Sequence, residues 1–120
     1  MEKVLGLGGL FFRAHDPQTL GKWYLAVLGI GIPPGDMDTA PWQQQAGPTV
    51  FAPFAADTDY FGDPARQFML NFRVADLEAM IAQITAAGTE VAAIETYPYG
   101  RFARLKDPEG NPIELWEPVA

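Results

Sequence analysis

The sequence predicts an α+β domain in which two βαβββ modules, about residues 1–60 and 61–120, form a curled mixed sheet around a half-open cup. Three observations predict it. Phe12-Arg13-Ala14-His15-Asp16 is matched by Phe72-Arg73-Val74-Ala75-Asp76 at a constant offset of 60 residues. Each match continues in the same order, with a strand pattern, an Asp cap, an amphipathic helix and a Gly stop. The chain then closes on a strand–turn–strand pattern. Strands laid side by side from two such units leave a concave face, the natural place for a ligand.

The elements follow in chain order. Residues 4–14 read as a Gly-rich strand. Asp16 and Pro17 start a helix over 17–28, with Asp as N-cap and Pro at the first helical position. Leu20, Trp23, Tyr24, Val27 and Leu28 follow at helical spacing, and Gly29 ends the helix. Residues 30–48 are rich in Gly and Pro, with short strands expected around 30–32 and 42–45; residues 49–54 are a further strand candidate. The stretch 55–66, with Asp57-Thr58-Asp59, Gly62 and Asp63-Pro64, reads as the connection between the halves. Residues 67–74 form a strand, and Asp76 caps a second helix over 77–87. Its apolar stripe is Leu77, Met80, Ile81 and Ile84, and Gly88 terminates it. A strand at 90–97 leads into the final hairpin.

That hairpin is the most informative stretch. Phe102, Ala103 and Leu105 supply strand residues, and Asp107-Pro108-Glu109-Gly110-Asn111 supplies the turn. Ile113 and Leu115 alternate with Glu114 and Trp116, so the two pairs take opposite faces. With Ile113 and Leu115 in the core, a carboxylate shares the other face with an indole. A buried unpaired charge is costly, so Glu114 needs partners there.

The run from Asp107 to Pro118 closely resembles the end of the second module in the glyoxalase / bleomycin-resistance / extradiol dioxygenase family (vicinal oxygen chelate superfamily). Trp23-Tyr24 followed by Leu28-Gly29 resembles that family's helix signature. The resemblance covers nearly the whole chain and implies the same paired βαβββ fold. It also implies lyase or dioxygenase chemistry at a divalent metal, with one ligand from each first strand and one from each last strand. Glu114 takes one of these positions. The first-strand positions fall on Gly9 and Met69, which cannot bind a hard divalent ion. The remaining position falls near Val50 or Phe51. His15, the sole histidine, lies beside a helix cap, displaced from any ligand position.

No metal and no other cofactor is therefore expected, with a divalent metal held in part by Glu114 as the alternative. The remaining chemistry sits on strand faces. Phe11 and Arg13 share one face of the first strand, and Met69, Asn71 and Arg73 share one face of its counterpart. Arg13 matches the position at which glutathione-dependent relatives hold a substrate carboxylate, a task suited to a bidentate guanidinium. Phe11, Arg13, Met69, Asn71, Arg73, Glu114 and Trp116 are the candidate ligand-binding residues. Trp42, Tyr60, Phe61, Tyr97, Tyr99 and Phe102 are further aromatic wall candidates. A binding or resistance-type protein that holds a small, partly apolar molecule is the expected function. A lyase or isomerase with Glu114 as catalytic general base is the alternative.

Composition sets outer bounds. The 120 residues suit one domain, and 48% hydrophobic with 19% charged residues is globular. A net charge of −7, with eight Lys and Arg that form no cluster, argues against nucleic acid as a partner. The absence of Cys excludes disulfides, thiolate ligands and Cys nucleophiles. No apolar run approaches a membrane span, and the opening residues lack a signal cleavage pattern. A cytoplasmic location is expected, and the resemblance implies a homodimer.

Overall fold

A computed structural model describes residues 1–31 and 35–120. Both helices form where their caps and stops place them. Helix α1, Pro17–Trp23, begins with Asp16 Oδ1 accepting the Thr19 amide at 3.1 Å. It continues as a π-helical turn, Tyr24–Leu28, and Gly29 closes it in the left-handed conformation at φ 70°. The Ile30 amide returns to the Tyr24 carbonyl at 3.1 Å, adding a second donor to an end carbonyl that the Gly29 amide also approaches. Helix α2, Leu77–Ala86, repeats the arrangement: Asp76 Oδ1 accepts the Ala79 amide at 3.0 Å.

Among the described residues, four strands make one open mixed sheet: β1 (Leu70–Arg73), β2 (Glu95–Tyr97), β3 (Gly100–Lys106) and β4 (Pro112–Pro118), in the order β1-β4-β3-β2. β1 runs parallel to β4, and the other two pairs are antiparallel. The second half is thus a complete βαβββ unit. The expected α+β class with an open mixed sheet is what the chain adopts.

Strand alternation gives the sheet two unlike faces. Leu70, Leu105, Ile113, Leu115 and Ala103 are buried on one face, against Leu20, Tyr24 and Val27 of the first helix and Leu77 and Ile84 of α2. Each such Leu or Ile contributes about 1.5–3 kcal/mol by leaving water. The helix of the first half is fastened to this core by polar contacts as well. Gln83 Nε2 donates to the Val27 carbonyl at 2.7 Å, and the Tyr24 hydroxyl donates to buried Asp107 at 2.6 Å. Burial, and then the Asp107 carboxylate, push the Tyr24 phenol well above its ordinary pKa.

The β3–β4 turn gathers the rest. Glu109 accepts the His15 and Asp16 amides at 2.6 and 3.0 Å. Arg66 donates to the Glu109 carbonyl at 2.8 Å and to Asn111 Oδ1 at 3.0 Å.

The first half departs from the sequence expectation. Residues 4–14, 42–45 and 49–54 are irregular chain rather than strands. The expected strand around 30–32 ends at Ile32, which lies outside the described residues. A strand cannot satisfy its own backbone groups and persists only beside a neighbour. Pro53 further removes a donor from the last of these segments, and Pro41 and Pro48 immediately precede two of them. Their apolar residues consequently face water, with Leu5 at 104% and Phe11 at 97% exposure. Phe12 is the exception: its ring meets Tyr24 and Phe68 edge-on, with centroids 6.3 and 6.1 Å away.

Candidate functional site

The face of the sheet opposite the core carries the site. The β4 alternation that buries Ile113 and Leu115 turns Glu114 and Trp116 the other way. Register then places Asn71 and Arg73 of β1, and Arg104 and Phe102 of β3, directly beside them. Glu95 and Tyr97 of β2 extend the same face, opposite Phe102 and Gly100.

Glu114 is the centre of the polar part and is only 7% exposed. One oxygen accepts from Asn71 Nδ2 at 2.8 Å, and the other accepts from the Tyr60 hydroxyl. Both carboxylate oxygens are thereby satisfied, as burial of a charge requires. Tyr60 is half-buried; its desolvation, and then the neighbouring Glu114, hold its phenol well above the ordinary value. The Arg104 guanidinium lies over the Tyr60 ring, 4.8 Å from its centroid, and pairs with Glu95 at 3.2 Å.

The other part is aromatic. Trp116 and Phe102 stack in parallel, with centroids 6.0 Å apart and planes within 3°. Tyr97 and Tyr99 stack at 5.8 Å, and both meet Phe102 edge-on. Trp116 Nε1 donates to the Tyr99 carbonyl at 3.2 Å, which fixes the indole against the β2–β3 turn. Gly100 makes this approach possible. At its φ of 146°, an added Cβ would lie 2.5 Å from Trp116 Nε1 and 2.6 Å from the Glu117 carbonyl oxygen.

Part of the first half lies over this face. Tyr60 stacks on Phe54 at 5.6 Å, and Phe61 packs against Phe54 at 5.2 Å. Arg73 donates to the Gln45 carbonyl at 2.8 Å. Two surface clefts of about 490 and 560 Å³ flank the sheet, and neither includes Glu114, Tyr60 or Trp116 in its lining. Tyr60 itself fills the space against the carboxylate.

Of the residues singled out from sequence, Asn71, Arg73, Glu114 and Trp116 share this face. Met69 is half-buried and lies immediately before β1. Phe11 and Arg13 are exposed on the irregular N-terminal segment, and Arg13 makes no ion pair among the described residues. The specific pairing of Tyr60 with Glu114 has no sequence signal, since 54 residues separate them. Arg104 was equally unmarked, as one of several charges on a strand.

The donor set does not fit a divalent metal. Gly9 and Met69 offer no oxygen or nitrogen side-chain donor, nor do Val50 and Phe51, which leaves Glu114 alone among the expected ligand positions. Among the described residues, no three His, Cys, Asp or Glu side chains converge.

An open βαβββ sheet with helices on one face and a polar–aromatic face opposite is consistent with a glyoxalase-like domain. Residues 9–116 match the family described as "Glyoxalase-like domain", and the chain belongs to that family. It is similar to TnmS3, an antibiotic binding protein from Streptomyces sp. CB03234, at 27% identity and TM-score 0.55, over 87% of this chain and 88% of that one. A glyoxalase/bleomycin resistance protein from the same organism is 25% identical, with TM-score 0.53 over 85% and 91% of the two chains. A glyoxylase/bleomycin resistance protein/dioxygenase domain from Frankia sp. EAN1pec has TM-score 0.64 at 16% identity, over 98% of this chain and all (100%) of that one, and shares the fold. Comparison with curated proteins returned no match. No described helix is long and apolar enough to cross a membrane.

Proposed function

We propose that this chain binds a small, partly apolar molecule on the face of its sheet opposite the core, and does so without a divalent metal. The observation that carries the reading is the side-by-side placement of a fully hydrogen-bonded carboxylate, Glu114, and an aromatic deck of Trp116, Phe102, Tyr97 and Tyr99. A concave apolar surface with a few convergent polar groups is the usual composition of a small-molecule site. The similarity to an antibiotic binding protein supports the same reading. Glu114 acts here as a fixed acceptor for a ligand donor.

A thermal-shift screen of aromatic small molecules, run with and without EDTA, tests this. A true ligand at 100 times its Kd stabilises the protein by about 2.7 kcal/mol, and EDTA leaves both the apparent melting temperature and the ligand shift unchanged. A shift that appears only with added divalent metal, or turnover of a ligand that stops in Glu114→Gln, would replace binding with metal-dependent or general-base catalysis.

The working unit is a homodimer. Two features support this: the strand-patterned but exposed segment around Val4, Leu5 and Phe11, and the edge strand β1, which pairs among the described residues with β4 alone. An open edge and an unpaired apolar strand are complementary liabilities. In such a dimer Phe11 and Arg13 are available to complete the wall of a site, with Arg13 directed at an anionic or carbonyl group. Multi-angle light scattering at micromolar concentration should give twice the chain mass of 13.1 kDa; the mass of one chain would refute the dimer.

A further inference from the structure

We infer that the ligand of this site carries a hydroxylated aromatic ring, and that Tyr60 occupies that ring's place while the site is empty. The inference rests on the binding reading above and supplies the chemistry of the ligand. Tyr60 is a tethered phenol; the sheet face meets its hydroxyl and ring, and Phe54 of the overlying irregular chain stacks on it. Its hydroxyl donates to one oxygen of Glu114, whose other oxygen is held by Asn71. Its ring takes the Arg104 guanidinium over one region at 4.8 Å, and that guanidinium is itself fixed by Glu95. Phe54, lying within 16° of parallel, supplies an apolar stacking partner. Acceptor, cation and stacking surface therefore converge on one aromatic ring with one hydroxyl. A free phenol would satisfy the same three groups, and the stacked Trp116 and Phe102 offer apolar surface further along the face for a larger ring system.

The tether is anchored at its far end, where Arg66 holds the β3–β4 turn, and carries no regular structure between that anchor and Tyr60. Residues 55–66 form neither helix nor strand, and their internal backbone bonds are single turns, Thr58 to Ala55, Gly62 to Asp59 and Arg66 to Asp63, at 3.0, 3.0 and 2.9 Å. Moving Tyr60 aside breaks no sheet ladder. It exposes Glu114, whose uncompensated charge must then be met by the incoming hydroxyl. Tyr60 thus competes with ligand as an intramolecular phenol, at an effective concentration set by its short connection.

The experiment uses the side-chain analogue 4-methylphenol and its hydroxyl-free counterpart toluene, titrated by ligand-observed NMR into the wild-type chain and Tyr60→Ala. Tyr60→Ala should bind 4-methylphenol at least tenfold more tightly than wild type does. It should also prefer 4-methylphenol to toluene by about ten- to a hundredfold, the range for one hydrogen bond to a charged acceptor. Adding Glu114→Gln to Tyr60→Ala should reduce that preference to less than tenfold. Equal binding of the two probes by Tyr60→Ala would remove the phenol assignment and leave the binding site standing. Binding of neither probe would overturn both. If Tyr60→Ala does not fold, Tyr60→Phe keeps the ring and loses only the hydroxyl. Its affinity for 4-methylphenol should rise about tenfold, and an affinity unchanged from wild type would overturn the proposal.

Discussion

Asp107→Ala should lower the unfolding free energy by about 3–5 kcal/mol, a large share of the 5–15 kcal/mol typical of a domain. The side chain is 4% exposed and accepts four hydrogen bonds. These come from the Tyr24 hydroxyl at 2.6 Å, Asn111 Nδ2 at 2.7 Å, and the Glu109 and Asn111 amides at 2.8 and 3.0 Å. Alanine leaves two buried side-chain donors without an acceptor, and each costs about 1–3 kcal/mol. It also releases the helix of the first half from the turn. Urea unfolding followed by circular dichroism gives the number. Tyr24→Phe should cost less, about 1.5–3 kcal/mol, because the carboxylate keeps three donors. A midpoint for Asp107→Ala no lower than that of Tyr24→Phe would show that the turn does not organise the two halves.

Ile113→Ala should be of similar size, about 3–5 kcal/mol, for a different reason. Ile113 is 0% exposed and sits in register between Leu70 on β1 and Leu105 on β3, both buried. Hydrogen-bonded strands on both sides prevent the sheet from closing over the missing methyl groups, so the cavity persists. The neighbouring Glu114 points the opposite way. The variant should therefore lose stability while its folded fraction binds ligand within about threefold of wild type. The same pair of measurements, denaturation and titration, checks it. A binding loss that tracks the stability loss would mean that the two faces of β4 are coupled.

What could be read from sequence was local. Asp16 and Asp76 cap their helices and Gly29 and Gly88 end them at φ 70° and 96°, because cap, stripe and stop all lie within a dozen residues. The β3–β4 hairpin is legible for the same reason, and its alternation alone assigns Glu114 and Trp116 to one face. The first-half strands were misread because their pattern is real but their neighbours are not supplied by this arrangement of the chain. Val4, Leu5 and Phe11 have strand chemistry and no ladder. The site was legible where sheet register made it, at Asn71, Arg73, Glu114 and Trp116. It was illegible at Tyr60, which reaches Glu114 from an irregular connection through tertiary packing alone.

The turn at Asp107 and Glu109 also sets when this chain can fold. Its bonds to Tyr24 and His15 span 83 and 94 residues of sequence. A short helix alone in water is marginal, so the first one has little to hold it while the ribosome is still adding the C-terminal residues. It docks only after residue 109 has cleared the exit tunnel, and loop closure over such distances slows the final step. Until then Leu20, Tyr24 and Val27 are open to chaperones and proteases.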